Sequence, residues 1–159
     1  MSKSPTDQQI LIYQLYADYG RAVLEAQRFE INLGLTLLYL EGRKRSLVKM
    51  RSREEVDALL DEIDGEAIGR LLSRLSEFHI PKDVDTIELF ELAAANRNTL
   101  VHHFMKEEVE DLDTISLRKA IDRVASLQEP IIKAKNESEA LAIAEDSRMR
   151  AEIESRGSV

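Results

Sequence analysis

The chain has 159 residues, which suits one domain with an appendage better than two full cores. With 43% hydrophobic and 33% charged residues it is neither membrane-spanning nor disordered throughout, and six Gly and three Pro are too few for a β-sandwich. The lack of Cys excludes disulfides, thiolate metal sites and a cysteine nucleophile, while a net charge of −8 opposes nonspecific binding to a polyanion without excluding a local basic cleft.

The opening MSKSPTDQQ carries no apolar signal core and no run reaches the roughly 20 apolar residues of a membrane span, so a soluble cytoplasmic protein is expected. Thr6 is suited to cap a helix from Asp7 to Glu41, a stretch without Pro. At about 100° per residue, Leu11, Leu15, Ala22, Ala26, Phe29, Leu33 and Leu40 form one stripe of it. A second stripe, nearly opposite, carries Tyr13, Ala17, Leu24, Ile31, Leu35 and Leu38. A helix apolar on two sides is either central in its own bundle or shared with another chain.

Gly42-Arg43-Lys44-Arg45-Ser46 is expected to end this helix and form a basic patch with Lys49, Arg51 and Arg53. Such a patch is a solvated turn or a steering surface for an anionic partner. Ser52 and Glu55 have capping-box spacing before Val56, Leu59, Leu60 and Ile63. After Asp64-Gly65, a helix from Glu66 to about His79 is predicted to stop at Pro81. Asp83 or Asp85 then caps a helix from Thr86 to Glu107, and Thr114 begins another. Pro130 is expected to kink or end it. The predicted organisation is an all-α, antiparallel up-and-down bundle of four to five helices in residues 1–130, followed by a charged helical tail in 131–159.

The helix from Thr86 carries the chemistry. With Arg97 as origin, Phe90, Ala93, Ala94, Leu100, Val101 and Phe104 lie within about 60° of it, so Arg97 occupies a core-facing position where a guanidinium needs partners. On the first helix Gln14, Asp18, Arg21, Glu25, Arg28 and Asn32 form a polar stripe. Asp18 and Glu25, nearest its apolar face, are the predicted partners of Arg97. Glu91, Ala95, Asn98 and His102 fall on one line, so Asn98 can fix the His102 ring. His102 lies about 140° from Arg97, which leaves a long Arg side chain to close the gap; His103 points elsewhere.

Arg97-Asn98-Thr99-Leu100-Val101-His102 resembles the R-x4-6-H motif of HEPN domains, often written with Asn after the Arg. The following Leu-Val-His-His-Phe register is similar to bacterial HEPN-like proteins, whose helical bundles carry the motif on a late helix. The resemblance implies a homodimer with two motifs facing across a cleft, and a metal-independent endoribonuclease of a toxin–antitoxin or defence system, with an antitoxin or other protein partner. It assigns Arg97 and His102 as the catalytic pair and Asn98 as their supporting group; His103, Asp18 and Glu25 are counted with the supporting residues. His titrates near neutrality and can move protons, and Arg presents a permanent forked charge to phosphate. Where toxins of this kind carry an AMPylated Tyr two positions after the His, this chain has Phe104, which has no hydroxyl.

The competing expectation is a non-catalytic dimeric interaction module, in which Arg97 is a buried ion pair fixing helix register and His102 an interface residue. No Gly-rich phosphate loop, G-x-S-x-G or H-E-x-x-H motif occurs, and no cofactor is implied. His79, His102 and His103 lack metal-ligand spacing, so no metal site is predicted.

Overall fold

The computed structural model describes residues 4–45 and 53–157. Among these, every regular element is helical: α1 (Asp7–Lys44), α2 (Arg53–Asp64), α3 (Ile68–Glu77), α4 (Val84–Asn98) continued by a π-helical segment (Thr99–Glu108), and α5 (Thr114–Gly157). The protein is an all-α bundle.

Thr6 closes a capping box at the start of α1: its hydroxyl accepts from Gln9 N–H at 3.3 Å, and Gln9 Oε1 accepts from Thr6 N–H at 2.9 Å. The helix runs past Glu41 because Glu41 and Gly42 are buried within its last turn. Ser46 and the predicted cap Ser52 lie outside the described residues. The first apolar stripe is the core face, with Phe29 and Leu33 fully buried. The second remains uncovered: Tyr13 is 71% exposed, Ile31 58% and Leu24 45%.

The main packing partner of α1 is α5, and its pattern was not anticipated. Leu117, Val124, Ile131, Ser138 and Glu145 of α5 recur every seven residues and are all buried, as are Leu15, Ala22, Phe29 and Thr36 of α1. A seven-residue period keeps one seam on its partner over a long span. Along this seam Gln8 donates to Leu112 O (2.6 Å), Asn32 to Ser138 Oγ (3.3 Å), and Arg43 to Glu145 Oε2 (2.8 Å). The contacts ascend in both helices, so α1 and α5 run in the same sense.

Pro130 neither ends α5 nor separates a solvated tail. The helix continues to Gly157, and Ile131, Ala134, Ser138, Ala142 and Glu145 beyond it are buried. A helical proline removes one N–H and crowds the preceding turn. The missing N–H would have served Ser126 O; Asn96 Nδ2 of α4 donates to the next carbonyl, Leu127 O, at 3.1 Å and ties α4 to this turn. At the other end of the bundle, α3 stops before Pro81. His79 adopts a left-handed φ of 56°, and Ile80 N–H returns to Leu75 O at 3.2 Å, satisfying an end carbonyl.

Candidate functional site

Asp83, rather than Asp85, caps α4: its carboxylate accepts from the Thr86 amide (2.8 Å) and hydroxyl (2.7 Å). The helix then docks on α1 by aromatic contacts at two levels. Phe90 meets Phe29 edge-on at 5.3 Å between centroids, and Phe104 stacks on Tyr19 at 5.7 Å. As the residue number rises along α4 it falls along α1, which brings Arg97 to the middle of the first helix.

Between those contacts the helix widens. Thr99 Oγ1 donates back to Ala95 O (3.2 Å), a bond that loosens a helical turn, and Tyr19 OH donates to Leu100 O (3.0 Å). From Thr99 the backbone is π-helical. A π turn takes up one residue more than an α turn and rotates less per residue, so position i+5 swings back toward position i. Arg97 and His102 are so spaced. The 140° separation expected of an α-helix is thereby closed, and Arg97 Nη1 lies 3.4 Å from His102 Nε2. The same widening moves Val101 off the core stripe to 38% exposure while Leu100 and Phe104 stay fully buried.

Arg97 is held on three sides. Its Nη2 donates to Glu30 Oε2 at 2.8 Å, and its Nη1 donates to Asn98 Oδ1 at 3.0 Å as well as facing His102. A guanidinium has no lone pair to offer, so its contact with His102 requires Nε2 to accept, which a neutral ring protonated at Nδ1 can do. The Arg97 side chain is 19% exposed, placed at the edge of the core rather than its centre. His102 is open to solvent.

The carboxylate on Arg97 is Glu30, not Asp18 or Glu25. Asp18 pairs with Arg21 (3.6 Å); Glu25 pairs with Arg28 (3.1 Å) and with Lys135 (3.1 Å). Glu25 and Glu30 differ by five residues, about 140° around α1. One therefore faces α5 and the other α4. Of the polar stripe of α1, Glu25 and Asn32 reach α5, Asn32 donating to Lys135 O (3.2 Å). Asn98 steadies the guanidinium rather than the His102 ring. His103 turns away, its Nδ1 2.9 Å from Glu107 Oε1 with both side chains exposed.

The basic patch is largely neutralised. Arg43 is bound to Glu145 and Glu152, Arg45 to Glu41 and Glu62, and Arg53 to Asp57. Lys44 lies over the Phe78 ring at 5.6 Å. Lys49 and Arg51 lie outside the described residues. Glu30, Tyr19 and Asn96 were missed by sequence reasoning. Glu30 could have been found by asking which α1 carboxylate lies on the same side as Tyr19 and Leu37; for the π turn no periodic signal exists.

Among the described residues no group of three His, Cys, Asp or Glu is disposed to hold a metal ion, and no helix is long and apolar enough to cross a membrane. A cavity of about 790 Å³ opens between α3 and α4, walled by Leu72, His79, Ile80, Phe90 and Ala94, but it includes neither Arg97 nor His102. Compared with known proteins, the chain matches no family model, no curated protein and no solved structure.

Proposed function

We propose that the chain is a HEPN-like protein acting as a cytoplasmic homodimer and a metal-independent endoribonuclease of a toxin–antitoxin or defence system. The observation that carries the reading is the 3.4 Å approach of Arg97 Nη1 to His102 Nε2, made by a π turn at the R-x4-H spacing. π turns inside helices recur at functional sites. The uncovered stripe of Tyr13, Leu24 and Ile31 on the neighbouring helix gives a second copy an apolar face to cover.

In this reading the neutral His102 ring takes the proton of an RNA 2′-hydroxyl as its oxygen attacks the adjacent phosphorus. The bond to the 5′-oxygen breaks, and that oxygen leaves with a proton from the imidazolium of the second copy. The products are a 2′,3′-cyclic phosphate and a 5′-hydroxyl. Arg97 offsets the charge that gathers on the phosphorane oxygens. One chain supplies one imidazole, so two copies complete the acid and base roles.

The test is cleavage of RNA in EDTA by the wild type, Arg97→Ala and His102→Ala, each checked for folding and for dimerisation. Loss in both variants with folding retained supports the site. Activity surviving both substitutions rejects it.

One observation favours the second reading, a non-catalytic dimeric interaction module: Arg97 already carries a 2.8 Å ion pair with Glu30, as a register-fixing group would. That reading predicts no cleavage by any variant and conversion of Arg97→Ala and His102→Ala to monomers. An antitoxin or other protein partner is compatible with either. Control through a Tyr at position 104 is not, because Phe104 is wholly buried and bears no hydroxyl.

A further inference from the structure

The guanidinium of Arg97 has a forked set of donors, and such forks bind carboxylate and phosphate oxygens interchangeably. Nη1 is turned to Asn98 and His102, whereas Nη2 faces Glu30 Oε2 at 2.8 Å. The Glu30 carboxylate thus stands where a phosphate oxygen would meet Arg97 beside the imidazole. It is not locked there. The Glu30 side chain is 26% exposed, and its ion pair is with Arg97.

A second position is within its reach. A cavity of about 240 Å³ between α1, α2 and the start of α3 is lined by Glu30 together with Ile31, Asp64 and Glu66. Its other walls are mostly apolar, Leu35, Leu38, Leu60 and Ile63 among them. Rotation into it would strip water from a charged Glu30 beside Asp64, while Glu66 is already held by Arg74 at 2.7 Å; that is unfavourable for a carboxylate. Glu30 therefore rests on Arg97 until a stronger anion takes its place.

We propose that Glu30 is a built-in competitor for phosphate at Arg97, so that an RNA phosphodiester binds by displacing it. This deepens the nuclease reading by naming a residue that gates its substrate, and it rests on that reading for the identity of the ligand alone.

The probe is a fluorescein-labelled 2′-O-methyl oligoribonucleotide, which presents the phosphodiester and cannot be cleaved by 2′-hydroxyl attack. Its Kd is measured by anisotropy for the wild type, Glu30→Gln, Arg97→Ala and the double variant. Asp18→Asn serves as control, since it removes one negative charge elsewhere on α1. Glu30→Gln is expected to tighten binding about fivefold, the scale of one partly exposed ion pair. Asp18→Asn should change it less than about twofold, and the gain should vanish in the Arg97→Ala background. Equal tightening by Asp18→Asn, a gain that persists without Arg97, or no gain at all overturns the proposal.

If Glu30→Gln fails to fold, the wild type is titrated with inorganic phosphate by NMR. Joint movement of the Arg97 Nε–Hε and Glu30 carboxyl resonances supports displacement, and movement of neither, or of one alone, overturns it. Cleavage of unmodified RNA is scored separately. Its absence from every variant removes the nuclease reading and leaves the binding result standing, whereas cleavage with no effect of Glu30→Gln removes only the gating role.

Discussion

Two arginines reach α1 carboxylates from neighbouring helices, Arg74 of α3 and Arg97 of α4, and their side chains are almost equally exposed, at 15% and 19%. Arg74 is surrounded by carboxylates: Glu41 at 3.2 Å, Glu62 at 3.2 Å and Glu66 at 2.7 Å. Burial alone would lower its pKa, but the hydrogen bonds it donates to Glu66 and Glu41 outweigh that and raise it above the ordinary arginine value. Arg97 has one carboxylate, one amide oxygen and a ring nitrogen. Equal burial therefore does not mean equal roles. The closed network fixes how α3 meets α1, while the open one keeps donors beside an exposed imidazole.

The comparison breaks most sharply at the level of activity. On the proposed nuclease reading, Arg97→Ala is expected to lower RNA cleavage about 10²–10³-fold, the cost of losing one charge-stabilising donor. Its thermal midpoint should move little, because a single partly exposed pair contributes about 1 kcal/mol at most. Arg74→Ala should do the reverse. It leaves Glu66 without its cation and Glu41 with Arg45 alone, and costs about 2 kcal/mol by urea unfolding, less than a fully buried pair because Arg45 remains and solvent reaches Arg74 and Glu62. Cleavage per folded molecule should stay within about twofold of wild type. If Arg74→Ala silences cleavage in a folded protein, the division of roles between the two arginines is wrong.

The same contrast separates what could be read from the sequence. The helical class, the Thr6 and Asp83 caps and the core stripe through Phe29 follow from local pattern, because caps and apolar periods are set by near neighbours in the chain. The placement of Arg97 near the core followed from Phe90, Ala93 and Ala94 on its face. Its partner did not, because Asp18, Glu25 and Glu30 are equivalent as residue types and only the docking rotation of α4 on α1 selects among them. The continuation of α5 was legible yet overlooked: Leu117, Val124, Ile131, Ser138 and Glu145 keep a seven-residue step straight through Pro130, but Ser and Glu at seam positions masked it. The π turn had no local signature, and Tyr19, which donates to Leu100 O within it, lies 81 residues away in the chain.

That hydroxyl gives a finer probe of the open site. Tyr19→Phe keeps the ring stacked on Phe104 and removes one part-buried hydrogen bond, an expected loss of about 1 kcal/mol. If the bond holds the π turn, the variant should lose cleavage beyond its loss of stability, and NMR should show His102 moving away from Arg97. An unchanged His102 environment would mean that the turn is fixed by the buried Leu100 and Phe104 instead.

The smallest effect concerns the cap that starts α4. The Thr86 hydroxyl, and then its amide, hold the Asp83 carboxyl below its ordinary value of 3.8. A carboxylate depressed in the folded state adds stability above its unfolded value, and that addition is lost as pH falls from 3.8 through the lower folded value. Protonation weakens the cap without touching Arg97, which lies fourteen positions further along. The Thr86 amide should therefore exchange faster as pH falls through that window, and Asp83→Asn should flatten the dependence. The Arg97 Nε–Hε signal should hold steady until the bundle itself unfolds, because the Phe90–Phe29 contact stands between cap and site. Simultaneous loss of both signals would show that α4 responds as one rigid rod, and that the open arginine depends on its helix as fully as Arg74 depends on its carboxylates.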